Sequence, residues 1–271
     1  MNQYQSFKED CVAEIKELGR DPQLAKLSTE WIQSVNKLKY SYHFEWMGRP
    51  IIQHPQDIVA MQELIWQIKP DLIIETGIAH GGSIVFSASM LALLDLCDAI
   101  EARERFDPTR SSRKVLGIDI EIRPHNRAAI EAHPMFSRIQ MIEGSSIAPD
   151  VIRQVHDIAR NFSRILVCLD SMHTHDHVLA ELEAYAPLVT PGSYCVVFDT
   201  IIEDMPADMF PDRPWGPGNN PKTAVWEYLR RIKEDGRTAA DGAPLQFEID
   251  KMIENKLLIT VAPDGYLKRV R

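Results

Sequence analysis

The sequence has little that would take it out of an aqueous, compact fold. No apolar run approaches the roughly 18 residues of a membrane span, and the opening MNQYQSFKEDC is polar and acidic, unlike a signal peptide. Basic residues are short relative to acidic ones, 30 against 39, and the net charge of −9 argues against a nucleic-acid backbone or an anionic membrane as the main partner. Only four cysteines occur, Cys11, Cys97, Cys168 and Cys195. They show no metal-ligand spacing, and the last two sit inside apolar runs, which points to buried free thiols in a reducing, cytoplasmic setting. No repeat and no low-complexity tract is visible. Neither the G-x-G-x-x-G of pyrophosphate binding nor a P-loop is present.

What is present is an alternation of apolar runs and amphipathic segments. Residues 5–19 and 22–38 read as two helices parted by Gly19-Arg20-Asp21-Pro22. Residues 40–54 (YSYHFEWMGRPIIQH) are aromatic and irregular, and a helix follows at about 55–68 with Pro55 in its first turn. Strand-like runs then come at 71–75, 114–120, 139–144, 164–170 and 193–199, with amphipathic segments near 83–95, 124–132, 148–160 and 176–187 between them. Their apolar positions are continuous, as in parallel strands covered on both faces. LQFEIDK and KLLITVAPDGYLKRV read as a closing hairpin. The expected fold is therefore α/β: a Rossmann-like, doubly wound, mostly parallel sheet with an antiparallel C-terminal edge and a helical N-terminal appendage. Residues 1–54 form a cap or oligomerisation segment and 55–271 the main domain. Residues 96–113 and 200–221 are too long for plain connections. The second, rich in Pro, Asp, Met, Trp and Gly, reads as a lid over an active site.

The stretch DLIIETGIAHGGS (71–83) holds the first functional signal. The turn after the first strand of such a sheet carries the ligand-binding glycines, here Gly77, Gly81 and Gly82. Glu75 stands immediately before the turn, where it would repel a pyrophosphate. It suits a ligand with a positive centre, such as the sulfonium and amino groups of S-adenosylmethionine. Asp119 ends the next strand and can hold both ribose hydroxyls. Gly144-Ser145-Ser146 ends the third strand, beside an adenine edge, and Asp170 ends the fourth. The donor set is Glu75, Gly77, Gly81, Ser83, Asp119, Ser145 and Asp170.

The chemistry is expected on the next two strand ends. LDSMHTHDH (169–177) carries Asp170 and His173, and VVFDT (196–200) brings Asp199 alongside. Two carboxylates at neighbouring strand ends can hold Mg²⁺ through oxygen, lowering the pKa of a bound hydroxyl and fixing it in line with a methyl group. His173 is the candidate base, since imidazole titrates near neutral pH. Asp176 reads as a helix-cap or first-turn charge, and His175 and His177 as polar surface or capping groups. The locally clustered histidines fit zinc or iron less well.

The runs EWMGRPIIQHPQDIVAMQELIWQIKPDLIIETGIAHGGSIVFSASML (45–91) and LDSMHTHDHVLAELEAYAPLVTPGSYCVVFDT (169–200) resemble the cephalosporin hydroxylase/rhamnosyl O-methyltransferase family. The resemblance implies a methyltransferase fold that binds S-adenosylmethionine and methylates sugar hydroxyls with help from Mg²⁺. It places Glu75, Gly77 and Asp119 at the donor, Asp170 and Asp199 at the metal, and His173 as base. This chain departs from the family pattern at Met172, where members commonly read DSDH, and at Phe198, where an acid commonly precedes the final Asp. An oxygenase, as part of the family label suggests, and a non-catalytic donor-binding protein are the alternatives. A small-molecule or glycan acceptor is expected against residues 1–54 and 200–221, with Tyr42, Trp46, Phe210 and Trp215 available to stack on a sugar face. A homo-oligomer is expected.

Overall fold

The computed structural model, which describes residues 2–108 and 110–271, opens with two helices, α1 (Gln3–Leu18) and α2 (Pro22–Asn36). Asp21 starts the second by accepting from the Gln23 and Leu24 backbone N–H groups, with Pro22 in the first turn. The irregular stretch then folds into a short hairpin, β1 (Phe44–Trp46) and β2 (Arg49–Ile51), whose turn uses Met47 and Gly48 at positive φ. This is a correction to the reading of 40–54 as irregular throughout. Only three residues lie on each side, too few for a periodic signal.

Helix α3 (Pro55–Ile68) leads into the repeating units β3 (Leu72–Thr76), α4 (Gly82–Ala102), β4 (Lys114–Asp119), α5 (Pro124–Glu131), β5 (Ile139–Glu143), α6 (Pro149–Ala159), β6 (Ile165–Leu169), α7 (His175–Tyr185) and β7 (Tyr194–Val197). Helix α8 (Pro221–Asp235), β8 (Phe247–Ile249), α9 (Lys251–Leu257) and β9 (Tyr266–Arg269) complete the chain. The seven-stranded sheet runs β5-β4-β3-β6-β7-β9-β8, with the first five strands parallel and β9 and β8 antiparallel. The expected doubly wound sheet with an antiparallel edge is what forms.

Alternation along each strand splits the core in two. Leu72, Ile74, Leu116, Ile118, Val167 and Leu169 pack under α6, α7 and α8. Ile73, Val115, Leu166, Cys168, Val196 and Phe198 pack against α3, α4 and the hairpin. Chain order reverses between β3 and β6, so the crevice for a ligand opens beyond Thr76 and Leu169.

Three further expectations are corrected. Helix α4 runs on to Ala102, because LCDAIEA contains good helix formers and the chain turns only at Arg103, in the left-handed region at φ 58°. The inserted segment is therefore shorter than 96–113. The same helix is long and apolar enough to cross a membrane by length and composition, contrary to the reading that no segment approaches that length. Here it lies between the sheet and the hairpin, with Ile84, Val85, Ala88 and Leu91 fully buried. The closing hairpin is interrupted: the Asp250 side chain accepts from the Met252 N–H and starts α9, so KLLITV supplies the end of a helix and an unpaired run, and only Tyr266–Arg269 pairs with β7 and β8.

Candidate active site

The turn after β3 sits directly on the end of β6. Gly77 has φ 90°, and a Cβ there would lie 2.0 Å from the Asp170 carbonyl oxygen. No other residue fits this contact, so the turn residue and a candidate catalytic acid are locked together. Gly81, at φ 86°, starts α4, and the bare Cα of Gly82 lets β2 approach, since a Cβ would meet the Pro50 carbonyl at 2.2 Å. Asp119 holds this turn from below. Its Oδ2 accepts from the Ile78 and Ala79 N–H groups at 2.8 and 3.1 Å, and its Oδ1 from Glu121 N–H at 3.2 Å. Gly77, Gly81 and Asp119 are thus brought together, with Asp119 shaping the glycine turn.

Glu75 is placed differently from an open strand-end acid. Its position in β3 turns it to the α4 side, where it is buried and accepts from the Ser83 hydroxyl. The two border a small cavity of about 20 Å³ shared with Asp57, Asp170, Cys168 and Phe198. Burial raises the Glu75 pKa from its ordinary 4.5 to about 7, against the opposing pull of the Ser83 hydrogen bond. At the end of β5 the polar contacts belong to Ser146 more than to Ser145, whose backbone carbonyl closes a turn by accepting from Ala148 N–H. Ser146 Oγ meets His177 Nε2 at 3.1 Å, and His177 Nε2 lies 3.2 Å from Ser171 Oγ and 3.4 Å from the buried Glu181 Oε1. His177 is therefore part of a network joining the ends of β5 and β6, a correction to its reading as a surface group. Sequence pattern could not find Glu181, one acid among several on an ordinary amphipathic helix.

Three apolar side chains follow the ends of β4, β5 and β6. Ile120, Ile147 and Met172 are 74%, 37% and 43% exposed.

The acidic centre lies at the ends of β6 and β7. Asp170, His173 and Asp199 each offer a ligand atom, and these atoms lie within 4.8 Å of one another. His173 Nε2 is 3.1 Å from Asp199 Oδ2, and its ring meets Trp215 edge to face at 4.8 Å. Asp199 adopts φ 55°, uncommon for a residue with a Cβ, which turns its carboxylate back toward Asp170. Asp170 Oδ2 accepts from Gln53 Nε2 at 3.1 Å. Burial raises the Asp170 pKa well above the usual carboxylate range, and the charges of Asp199, Glu75 and Glu181 push it the same way. Such a site is short of positive charge. Two carboxylates and one imidazole are the reverse of the two-histidine, one-carboxylate set of a non-haem iron oxygenase.

Beside this centre opens a cleft of about 230 Å³ lined by Tyr42, Gln53, His54, Phe210, Arg213 and Trp215. Helix α2 roofs it, with Ile32 packed on Ile201 and Met205. Residues 201, 202 and 205 are thus core, and Glu203 accepts from Gly218 N–H at 2.6 Å, so the free part of the expected lid is narrower than 200–221. Tyr42, Phe210 and Trp215 face the cleft as expected. Trp46 does not: its indole N–H donates to Ser89 Oγ at 3.0 Å and its ring packs on Phe86, under the hairpin. His175 Nδ1 pairs with Thr223 Oγ1 at 2.9 Å and Asp176 is an exposed first-turn acid of α7, away from the centre.

Over residues 38–270 the chain matches the family described as Rhamnosyl O-methyltransferase/CmcI. A rhamnosyl O-methyltransferase of Mycobacterium leprae (strain TN) is 29% identical over 225 residues, 83% of this chain and 82% of that protein. The corresponding protein of Mycobacterium bovis (strain BCG / Pasteur 1173P2) is 30% identical over 226 residues, 83% of this chain and 77% of that protein. Among solved structures, CmcI described with Mg and SAM shares the fold at a TM-score of 0.53 and 16% identity, covering 85% of this chain and 78% of that one.

Proposed function

We propose, on the premise that this chain belongs to the Rhamnosyl O-methyltransferase/CmcI family of S-adenosylmethionine-dependent O-methyltransferases, that its acceptor is a hydroxyl of a sugar or glycosylated metabolite, a rhamnosyl hydroxyl foremost, and that a divalent cation assists. The observation that carries the acceptor reading is the Asp170, His173 and Asp199 group at the wall of a cleft faced by Tyr42, Phe210 and Trp215. Aromatic faces beside a proton-moving centre suit the apolar face of a sugar ring.

The donor lies across the glycine turn. Ile120, Ile147 and Met172 give its adenine an apolar bed, which accounts for three large side chains left open at successive strand ends. Asp119 receives the ribose, and the acids around Asp170 favour the positively charged end. Asp170 and Asp199 would hold Mg²⁺, a cation that takes hard oxygen ligands and keeps water or substrate oxygens in its remaining positions. The donor set fits: burial first, and then the charges of Asp199, Glu75 and Glu181, raise the Asp170 pKa, and a bound cation would offset both. Once bound, Mg²⁺ supplies Lewis acidity toward the acceptor hydroxyl. His173 Nε2 lies 3.1 Å from Asp199 Oδ2, so Asp199 orients the imidazole, which takes the hydroxyl proton while the oxygen accepts the methyl group. Trp215 and the 206–219 segment exclude water from the cleft.

The test is incubation with S-adenosylmethionine and a panel of rhamnosyl glycosides, followed by mass spectrometry. Addition of one CH₂ to a rhamnosyl product is the expected result. Binding of S-adenosylmethionine without transfer to any sugar hydroxyl overturns the acceptor class, and failure to bind it overturns the reading altogether.

A further inference from the structure

At the wall of the same cleft, two consecutive residues bury polar atoms that no described residue satisfies. Gln53 is 7% exposed and His54 1% exposed. Gln53 spends its amide N–H on Asp170, but its Oε1 has no hydrogen-bond partner among the described residues. His54 has none at either Nδ1 or Nε2. Buried polar atoms are nearly always paired, and three orphans on adjacent side chains are costly to keep.

The surroundings say why they are not simply core. Both residues line the cleft that also holds His173 and Asp199. The His54 ring is clamped edge-on by Trp31 at 5.9 Å and by Tyr40 at 5.6 Å, which fixes its direction without using either nitrogen. Its backbone is committed as well, since the His54 carbonyl accepts from Ile58 N–H to begin α3. The side chain is thus held rigidly by apolar edges with its hydrogen-bonding capacity kept free. A neutral imidazole offers one donor and one acceptor, and Gln53 Oε1 adds a second acceptor. That set matches hydroxyl groups, each of which donates and accepts. It does not match a phosphate or a carboxylate, which only accept.

Resting on the acceptor reading above, we propose that Gln53 and His54 form the subsite that recognises the acceptor sugar's hydroxyls, with His54 a positioning residue that sets the ring's register relative to His173 and Asp199. Gln53 links this subsite to the reacting centre directly, since its amide N–H bonds Asp170 while its Oε1 is left unspent at the cleft wall.

The experiment uses the full chain loaded with S-adenosylhomocysteine and methyl α-L-rhamnopyranoside as probe, with binding read by saturation-transfer NMR and calorimetry. His54→Phe keeps the ring clamp and removes both nitrogens; Gln53→Met keeps the shape and removes the amide. Each is expected to weaken the rhamnoside at least tenfold, since sites built to pair a hydroxyl discriminate strongly once a partner is lost. His54→Phe, which touches no donor residue, should leave S-adenosylhomocysteine binding unchanged. His54→Phe should also raise the apo melting temperature, because the buried orphans are gone, whereas a histidine with a structural role would lose stability. A monodeoxy rhamnoside lacking the recognised hydroxyl should bind wild type and His54→Phe alike. Unchanged rhamnoside affinity in His54→Phe, a fall in its melting temperature, or a wild-type protein that binds S-adenosylhomocysteine but not the rhamnoside would each overturn the proposal. Loss of S-adenosylhomocysteine binding by wild type would instead count against the methyl-transfer reading on which it rests.

Discussion

Glu75→Gln should change stability in opposite senses to function, and the effect should depend on pH. In the folded protein burial lifts Glu75 from 4.5 to about 7. The neutral carboxyl therefore contributes stability that is complete below pH 4.5 and is lost as pH rises through about 7. A displacement of this size corresponds to about 3 kcal/mol by pH 8. Glutamine keeps the shape and cannot ionise. The variant should therefore gain on wild type by up to about 3 kcal/mol between pH 4.5 and 8, roughly 5 °C or more in melting temperature for a domain of this size. Asp57, which burial raises to about 6, also titrates in this range, so the variant-minus-wild-type difference is the quantity to follow. Denaturant melts of the ligand-free protein at several pH values measure it. Donor affinity should move the other way, falling by about 1–3 kcal/mol if the carboxylate meets the donor's cationic end. Parallel stability curves across pH would refute the burial argument, and unchanged donor affinity would remove Glu75 from the donor site.

Gly77→Ala places a Cβ 2.0 Å from the Asp170 carbonyl oxygen at φ 90°. It should cost about 2 kcal/mol or more and abolish donor binding, seen by thermal melting and calorimetry; a wild-type-like variant would contradict the contact. His173→Ala should lose about 10²–10⁴-fold in turnover near neutral pH, with partial recovery as pH rises and the acceptor ionises unaided; a pH-independent deficit would deny it the role of base. Limited proteolysis should cut first within 206–219, and donor plus acceptor should protect that segment; cleavage indifferent to ligand would remove the water-excluding role.

Much of this site was legible because it is built on strand ends. Asp170 and Asp199 are far apart in sequence, yet each follows a continuous apolar run, and two such parallel runs adjacent in the sheet bring their terminal acids together. Gly77 was legible for the same reason. Glu75 was visible but its setting was not, because a strand tells which residue comes last and not how the helix above closes over it. Gln53 and His54 were missed. They follow a hairpin too short to announce itself, and only the folded clamp of Trp31 and Tyr40 shows that their polar atoms are buried and unspent. The run KLLITV misled because its composition suits a strand, while one side chain before it, Asp250, starts a helix. Trp46 misled because an aromatic in a cap can serve a ligand or the core, and Ser89 beneath it settles the choice.

The proposed cation at Asp170 and Asp199 carries the mechanism, and metal depletion of the methyl-transfer reaction tests it most directly. With S-adenosylmethionine and a rhamnosyl acceptor, EDTA should abolish turnover and Mg²⁺ or Mn²⁺ should restore it. Asp199→Asn should stay inactive at the same metal concentration while binding S-adenosylmethionine within a few fold of wild type. Full activity in EDTA, together with a fully active Asp199→Asn, would contradict the account and leave the two carboxylates only the task of orienting His173 and the donor.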